Sequence, residues 1–305
     1  VLIDLSSRSL FNENDRDFLL SDCFSSLPEK VCYFYFNLYI VFCTFAQNNI
    51  TFMENNPELQ LAWQFIENTG THLFLTGKAG TGKTTFLRRL KEHTPKRMVV
   101  LAPTGIAAIN AGGVTIHSFF QLSFAPFVPE TTFNSSQTHY RYSKEKRNII
   151  RSMDLLVIDE ISMVRCDVLD AIDCVLRHVR NSHDQPFGGV QVLYIGDMHQ
   201  LPPVVKDEEW TLLQSWYPNQ YFFSSQVVAE QPPVYIELEK VYRQSDAAFI
   251  NLLNKVRNNE MDEDGFHLLH SRYLPDFTAS ENFITLKKKK KKADSINQES
   301  LSRLT

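Results

Sequence analysis

The sequence predicts an α/β fold in which helices cover a parallel β-sheet. Three observations lead to this prediction: short apolar segments alternate with helix-like segments from Pro57 onward, a glycine-rich loop follows the first apolar segment, and polar residues follow two later ones. Such alternation is typical of βαβ units, whose strands run parallel. Because ligands of these sheets bind at the carboxyl ends of the strands, the polar residues mark the expected site.

The predicted elements follow one another in the order that a βαβ sheet requires. Continuous apolar runs indicate strands that are buried on both faces, and they lie at Leu73–Thr76, Arg97–Ala102, Leu155–Ile158 and Val192–Ile195. Segments with helical character lie at Glu58–Asn68, Thr85–Leu90, Val168–Val179 and Ala247–Val256.

Composition limits the class of protein. With 305 residues, 43% of them hydrophobic and 22% charged, the chain has room for one large domain or two ordinary ones. The formal net charge is −4, so a nucleic acid would have to be held by local cations and stacking rings. The five cysteines form no C-x-x-C pair, which indicates reduced thiols in an intracellular protein and argues against a zinc site or a disulfide framework.

Residues 1–52 form an atypical leader that contains neither methionine nor glycine. Its aromatic-rich run, Val31–Cys43, permits three interpretations: a membrane or export segment, a buried strand or hairpin, or a stretch that is not native protein. The run is short for a membrane helix of about 20 residues and lacks a basic start, so we predict no membrane partner. The first methionine, Met53, opens an ordinary polar amino terminus and favours the third interpretation.

Residues 77–84 read Gly-Lys-Ala-Gly-Thr-Gly-Lys-Thr, which is a complete G-x-x-x-x-G-K-[ST] phosphate loop. Glycines let successive backbone N–H groups face the phosphates of a nucleoside triphosphate at the start of the following helix. Lys83 would reach the β- and γ-phosphates, and the Thr84 hydroxyl would bind Mg²⁺. A chance glycine-rich turn is the alternative. The predicted ATP contacts in this segment are Gly77, Ala79, Gly80, Thr81, Gly82, Lys83, Thr84 and Thr85.

Two further polar segments follow predicted strands. Asp159 and Glu160 close the strand Leu155–Ile158, where Asp159 would hold Mg²⁺ through water and Glu160 would polarise the water that attacks the γ-phosphate. Gln200, in Gly196–Pro203, would sense the γ-phosphate with its side-chain amide. Taken alone, the acidic pair also fits a helix cap or a solvated turn, and the second segment fits a Pro-bounded turn.

Phosphoryl transfer also needs a cation on the outer face of the γ-phosphate. Arg243 is the candidate, although a solvated surface arginine is the alternative. It follows Gln231-Pro232-Pro233, which indicates a boundary. We predict one domain over residues 53–228 and a second, incomplete one over residues 229–305.

Between Phe119 and Arg151 the chain interleaves aromatic rings with cations. Cations follow the phosphates of single-stranded nucleic acid while rings stack on its bases. Several of these rings must belong to the core, so only a minority is assigned to a ligand. The stretch Pro126–Tyr142 has the character of an insertion loop on the sheet domain.

The ordered motifs together resemble superfamily-one DNA helicases, most closely those of the petite-integration-frequency type. The resemblance covers about Glu58 to Asn258 and adds to the segments above Ala102–Ala108, Thr115–Phe119, Tyr242-Arg243 and a signature region from Asp167 to Gly189. It implies a RecA-like P-loop NTPase domain followed by a partial second one. It also implies an ATP- and Mg²⁺-dependent translocase that runs 5′-to-3′ on single-stranded DNA.

Carried over residue by residue, the resemblance assigns further roles. Gln60 would read the adenine, Arg243 would be the arginine that follows the first domain, and an insertion at about 120–148, centred on Phe124–Tyr142, would be the wedge or pin at the fork. The residues implied to hold single-stranded DNA are Pro103, Thr104, Gly105, His117, Ser118 and Phe119.

The implied function is duplex unwinding in DNA replication, repair, recombination or telomere maintenance by a monomer that binds single strands and forked or structured DNA. The location would be cytoplasm or nucleoid in a bacterium, nucleus or mitochondrion in a eukaryote. Two alternatives stay open: an ATP-gated DNA-binding fragment without motor activity, and a generic P-loop regulatory ATPase. The segments Ala102–Ala108 and Thr115–Phe119 argue against the latter, because generic P-loop regulators lack them.

Two departures from the family pattern concern the carboxyl-terminal part. Lys287–Lys292 replaces a polar family segment, either as a solvated lysine run or as a sequence error, before Ala293–Asn297 resumes a family-like helix. The chain also stops at Thr305, before the family's later motifs. We therefore expect a second motor domain that is truncated.

Overall fold

The computed structural model describes residues 56–129, 142–242, 246–274 and 290–302. The chain divides into two compact units, Val1–Ser245 and Asp246–Thr305. The predictions for the leader 1–52 and for residues 130–141 of the insertion fall outside the described residues.

A six-stranded sheet forms the centre of the first unit, and every strand pairs parallel with its neighbours. The order across the sheet is β3-β2-β4-β5-β1-β6. The strands are β1 Leu73–Gly77, β2 Met98–Ala102, β3 Val114–Thr115, β4 Leu155–Ile158, β5 Gln191–Gly196 and β6 Val234–Leu238. The predicted α/β fold with a parallel sheet is therefore confirmed.

Burial of the strands explains why apolar runs predicted them. All residues of β1, β4 and β5 are buried, because helices cover both faces of the sheet. The edge strand β6 instead alternates between exposed and buried residues at its carboxyl end, and β3 has two residues. Sequence analysis did not identify either edge strand, since neither carries a continuous apolar run.

Helices connect the strands and cover the sheet. The helices of the first unit are α1 Pro57–Asn68, α2 Lys83–His93, α3 Gly105–Ala111, α4 Ile116–Phe120, α5 Lys144–Ser152, α6 Cys166–Arg180, α7 Asp207–Leu213 and α8 Gln226–Glu230. Short 3₁₀ turns occupy Ile161–Met163, Pro186–Gly189 and Phe222–Ser224. The predicted helices at 58–68, 85–90 and 168–179 lie within α1, α2 and α6.

Two apolar cores lie against the sheet. One includes Leu59, Phe86 and Leu193 and forms where α1 and α2 pack on the strands. The other includes Leu169 and Tyr194 and forms beneath α6. Both cores are built from side chains of the sheet strands, so the strands are held on both sides and their carboxyl ends keep fixed positions.

Acidic residues on α6 fasten the surrounding loops. The Asp170 carboxylate accepts hydrogen bonds from the N–H groups of Gln226 and Val227, both at 3.0 Å, and so caps α8. Asp173 accepts the N–H of Phe187 at 2.5 Å and pairs with Arg177. Buried carboxylates at this spacing are stable because each is paired with donors.

The boundary between the units lies later than predicted. We predicted a division between residues 228 and 229, but β6 pairs with β1 from Leu73–Val234 to Gly77–Leu238 and completes the first sheet. The compact units divide between Ser245 and Asp246. Pro232 and Pro233 mark the turn before an edge strand, since proline is tolerated at the beginning of such a strand.

The second unit contains helices α9 Ala247–Asn258, α10 Glu263–His270 and α11 Lys290–Ser302. The predicted helix at Ala247–Val256 is confirmed as part of α9, where the Asp246 carboxylate caps the N–H groups of Ala248 and Phe249. The expected helix at Ala293–Asn297 lies within α11, which begins in the lysine run. Within the described ranges, no helix is both long and apolar enough to cross a membrane.

A buried histidine should make stability depend on pH. The Nδ1 atom of His72 accepts the N–H of Val192 at 3.1 Å. Burial lowers the pKa of His72 from 6.5 to about 4, against a smaller opposing contribution from Gln231. As pH falls from 6.5 to 4 the unfolded chain takes up the proton first, so the free energy of unfolding should fall by up to about 3 kcal/mol.

Urea unfolding at a series of pH values measures this effect. His72→Asn keeps an acceptor oxygen and removes the titrating group, so its stability should vary less between pH 6.5 and 4. The exposed His183 provides a matched control, because His183→Asn should keep the wild-type pH profile. Identical profiles for wild type and His72→Asn would contradict the prediction.

Candidate nucleotide and nucleic-acid site

The loop between β1 and α2 has a backbone that requires glycine. Gly77, Gly80 and Gly82 have φ angles of 148°, 83° and 97°. A Cβ atom on Gly77 would lie 2.7 Å from the carbonyl oxygen of Leu238. Glycine is therefore needed both for the positive φ angles and for the close approach of β6.

Lys83 folds back over this loop. Its Nζ atom donates hydrogen bonds to the carbonyl oxygens of Gly77 at 2.5 Å and Lys78 at 3.0 Å. The buried Thr81 hydroxyl donates to the same Lys78 oxygen at 2.9 Å. The ammonium group thus lies within the curl of the loop, and its role at the β- and γ-phosphates stays a prediction.

The phosphate loop leads directly into the start of α2. Gly82 is the residue before α2, and Lys83 and Thr84 form its first turn. The N–H groups at a helix start have no partner within the helix and carry partial positive charge, which favours an anion there. Thr84 is exposed, and the predicted contacts Ala79 and Thr85 lie in the same loop and first turn.

The acidic pair lies at the corresponding end of β4. Burial raises the pKa of Asp159 to about 6, and the nearby charges of Glu160 and Lys83 act in opposite directions. Its Oδ1 atom accepts the N–H of Glu160 at 3.0 Å. Glu160 has a φ angle of 52°, an unusual left-handed conformation that turns the chain sharply after the strand.

The oxygen atoms present fit a magnesium ion. A half-buried carboxylate that resists ionisation gains from a bound cation, and Asp159 together with the Thr84 hydroxyl offers the oxygen donors that Mg²⁺ prefers. Mg²⁺ usually takes one or two protein ligands and completes its shell with phosphate oxygens and water. Among the described residues no cluster of three or more His, Cys, Asp or Glu side chains could hold a metal by itself.

A buried aspartate that the sequence analysis missed orients Gln200. Asp197 follows β5 and is 2% exposed. It accepts the N–H of His199 at 3.1 Å and the side-chain amide of Gln200 at 3.3 Å. The signal was available, because Asp197 follows a buried strand as Asp159 does.

The segment after β6 contacts the phosphate loop. Tyr242 donates its backbone N–H to the carbonyl oxygen of Gly80 at 2.8 Å. Its hydroxyl accepts the side-chain amide of Asn56 at 3.2 Å, and Asn56 in turn caps α1. Gln60, the predicted adenine contact, is half-buried on that helix. Arg243, the next residue after Tyr242, lies outside the described residues, so its role stays a prediction.

A cavity of about 260 Å³ lies beside the predicted DNA-binding segments. Pro103 and Thr104 line it from the end of β2, and His117 and Phe124 line it from α4 and the segment that follows. The rings of His117 and Phe124 stack with centroids 4.9 Å apart. Phe124 is 82% exposed, so its ring is available to a ligand.

The other predicted DNA contacts divide into two kinds. Gly105 and Ser118 are exposed at helix starts, next to Thr104 and His117 respectively. Phe119 is only 6% exposed, and the Nζ atom of Lys146 lies 3.4 Å from its ring centroid. Its ring therefore belongs to the core and has no free face for a base.

The chain matches one family model over most of the described part. The model of the PIF1-like helicase family matches residues 60–265. The ATP-dependent DNA helicase PIF1 of Saccharomyces cerevisiae is 36% identical over 220 residues, which are 69% of this chain and 24% of that protein. The human ATP-dependent DNA helicase PIF1 is 38% identical over 189 residues, 62% of this chain and 27% of that protein.

A solved structure agrees with the fold. A Pif1 helicase from Bacteroides in complex with ADP-AlF3 and single-stranded DNA superposes with a TM-score of 0.74 at 42% identity, over 80% of this chain and 56% of that one. The chain spans about a quarter of the length of the two curated relatives and about half of this solved chain. The RecA-like architecture is thereby confirmed for the first unit.

The position of the Lys83 ammonium leads to a binding prediction. Lys83→Ala should weaken ATP binding about tenfold or more, because a hydrogen bond to a charged group contributes about 1.5–3 kcal/mol. Equilibrium titration with a fluorescent ATP analogue measures the affinity. Lys78→Ala is the matched control from the same loop and should bind within about twofold of wild type. Equal affinities for the two variants would contradict the assigned role of Lys83.

Proposed function

The chain belongs to the PIF1-like helicase family, and we propose that it binds ATP and Mg²⁺, hydrolyses ATP, and uses the reaction to move along single-stranded DNA and unwind duplexes. The observation that carries this proposal is the meeting of three segments at one edge of the sheet. The register pairs Thr76 with Gly196 and Ile158 with Tyr194, so the phosphate loop, the acidic pair and the Gln200 segment follow strand ends that lie side by side.

Each polar residue of the nucleotide site has a defined role in the proposed hydrolysis. Lys83 neutralises charge on the β- and γ-phosphates, and Gln200, held by Asp197, contacts the γ-phosphate. Glu160 orients the attacking water and accepts its proton. Thr84 and Asp159 hold Mg²⁺, which when bound neutralises developing charge on the phosphates.

The remaining groups would complete the nucleotide site. Gln60 offers an amide that matches the donor and acceptor edge of adenine. The contact between Tyr242 and Gly80 brings the chain to the phosphate loop one residue before Arg243, which supports the proposal that this arginine reaches the γ-phosphate. An arginine in such a position stabilises the charge of the transition state.

Single-stranded DNA is the proposed polymer because of the surface beside the cavity. Thr104 caps α3 by accepting the N–H of Ala107, and the neighbouring helix start suits a phosphate. The exposed ring of Phe124 offers a face on which a base can stack. Pro103, Gly105, His117 and Ser118 complete the proposed contact surface.

The proposal also covers the direction of movement, the DNA structure that is preferred and the cellular process. We assign 5′-to-3′ movement, action at forked or structured DNA, and a role in replication, repair, recombination or telomere maintenance, as the family resemblance implies. The protein would then act inside the cell where DNA is kept. We also assign the second unit to the beginning of a second RecA-like domain.

The proposal predicts DNA-stimulated ATP hydrolysis. Steady-state ATPase activity of the full chain should rise when oligothymidylate is added, and a duplex with a 5′ single-stranded tail should be unwound in preference to one with a 3′ tail. Glu160→Gln preserves shape but removes the general base, so it should bind ATP normally and hydrolyse it about 10²-fold more slowly or worse.

The outcomes separate the proposed motor from its alternatives. ATP and DNA binding without stimulated hydrolysis would favour an ATP-gated DNA-binding module. ATP binding with no response to DNA would favour a P-loop regulatory ATPase. Wild-type turnover in Glu160→Gln would contradict the catalytic assignment itself.

Arg243→Ala should lower hydrolysis by up to about 10³-fold, with a smaller loss of ATP affinity, because the guanidinium is proposed to act mainly on the transition state. Separate measurements of kcat and of equilibrium ATP binding test this split. The exposed Lys240 lies on the same segment, and Lys240→Ala serves as the control for loss of one positive charge. Unaltered turnover in Arg243→Ala would assign the residue to the solvated surface.

A further inference from the structure

A largely buried ion-pair cluster joins the beginning of α6 to α7. The guanidinium of Arg165 contacts Asp167 through Nη2 at 2.6 Å and through Nε at 2.8 Å, and contacts Glu209 through Nη1 at 2.8 Å. The side chains of Arg165, Asp167 and Glu209 are 12%, 1% and 23% exposed. We call these three residues the Arg165 cluster.

Both segments that reach the nucleotide site continue into this cluster. After Glu160, a single 3₁₀ turn at Ile161–Met163 leads to Arg165, which lies immediately before α6. After Gln200, Pro202 and Pro203 stiffen the chain before α7, which carries Glu209. The Arg165–Glu209 ion pair therefore ties together the continuations of both segments.

The two segments also contact each other nearer the nucleotide. A Cβ atom on Gly196 would lie 2.9 Å from Cγ2 and 3.1 Å from the backbone nitrogen of Ile161, so β5 and the 3₁₀ turn approach closely. A displacement of the chain after Glu160 would consequently shift the end of β5 as well. Packed elements of this kind shift as units because their interiors have little free space.

The same cluster forms part of the proposed DNA-binding surface. Arg165 and Met163 line the cavity beside Thr104 and His117, and Val204 lines it from the segment after Gln200. Asp167 also holds the segment after Phe124. Its Oδ2 atom, which contacts Arg165, accepts the N–H of Phe127 at 3.0 Å as well. Arg165 thus forms part of the cavity wall, and Asp167 holds the chain close to another lining residue, Phe124.

We propose that the Arg165 cluster positions the cavity wall according to the nucleotide state, so that ATP binding and single-strand binding are coupled through the Arg165–Glu209 ion pair. This inference rests on the proposed function, since it needs both ligands to bind. Arg165 and Glu209 are positioning residues that transmit a displacement between the two sites. A fork of five N–H donors can hold two carboxylates in fixed geometry, which a lysine ammonium cannot do.

The test measures coupling by equilibrium binding and needs no turnover. The affinity of the full chain for fluorescent oligothymidylate is measured with and without ADP–aluminium fluoride and Mg²⁺, at temperatures well below the melting temperature of each variant. For wild type we expect the affinity to change about fivefold or more. Glu209→Gln should reduce this ratio to below about twofold. Linkage requires the same factor when nucleotide affinity is measured with and without DNA.

Two further variants make the result specific. Glu208→Gln removes an exposed neighbouring charge on the same helix and should keep the wild-type ratio. Arg165→Lys keeps the positive charge opposite Asp167 but loses the two-carboxylate geometry, so its ratio should fall as in Glu209→Gln. Each variant should keep its affinity for nucleotide alone within about twofold of wild type, which a general loss of folding would not allow.

The outcomes distinguish this inference from the proposed function. A wild-type ratio in Glu209→Gln overturns the inference while leaving the proposed function in place. Two results for the wild-type chain would overturn both the coupling and the proposed motor. One is the absence of binding to single-stranded DNA, and the other is a DNA affinity that does not change when nucleotide is added. Equal loss of coupling in Glu208→Gln would trace the effect to net charge and would also overturn the role of the ion pair.

Discussion

The parallel register of β1, β4 and β5 is the constraint on which the site depends. It aligns Thr76 with Gly196 and Ile158 with Tyr194, so the loops that follow these strands begin next to one another. Cores on both faces of the sheet fix this register, because a shift of one residue would turn buried side chains toward the opposite face. The polar residues beyond the strand ends can therefore be mobile or strained without displacing the site as a whole.

Several energetically unfavourable features lie at that edge of the sheet. Gly77 and Gly82 adopt backbone angles that other residues avoid, Glu160 has a positive φ angle, and Asp159 is a carboxylate whose burial disfavours its charge. Such features persist only where the surrounding structure enforces them. Here a bound triphosphate and cation would relieve part of the cost, because they supply the charges that the loop and the carboxylate lack.

Helix α6 connects this edge to the rest of the unit. Asp167, Asp170 and Asp173 lie three residues apart and each accepts a backbone N–H from a different segment, namely at Phe127, at Gln226 and Val227, and at Phe187. Three positions apart on a helix lie on neighbouring parts of its surface. One helix thus holds the segment after Phe124, helix α8 and the turn before β5.

The sequence alone determined the buried strands β1, β2, β4 and β5, the phosphate loop and the acidic pair, because continuous apolar runs and a fixed glycine spacing are local signals. Only the tertiary structure decided which side chains are buried in the core and which stay exposed to a ligand. Phe119 and Phe124 are both phenylalanines of one aromatic segment, yet packing buries the first and exposes the second. The tertiary structure also decided strand β6 and the Arg165 cluster. Both depend on contacts between residues far apart in sequence, which no local sequence pattern specifies.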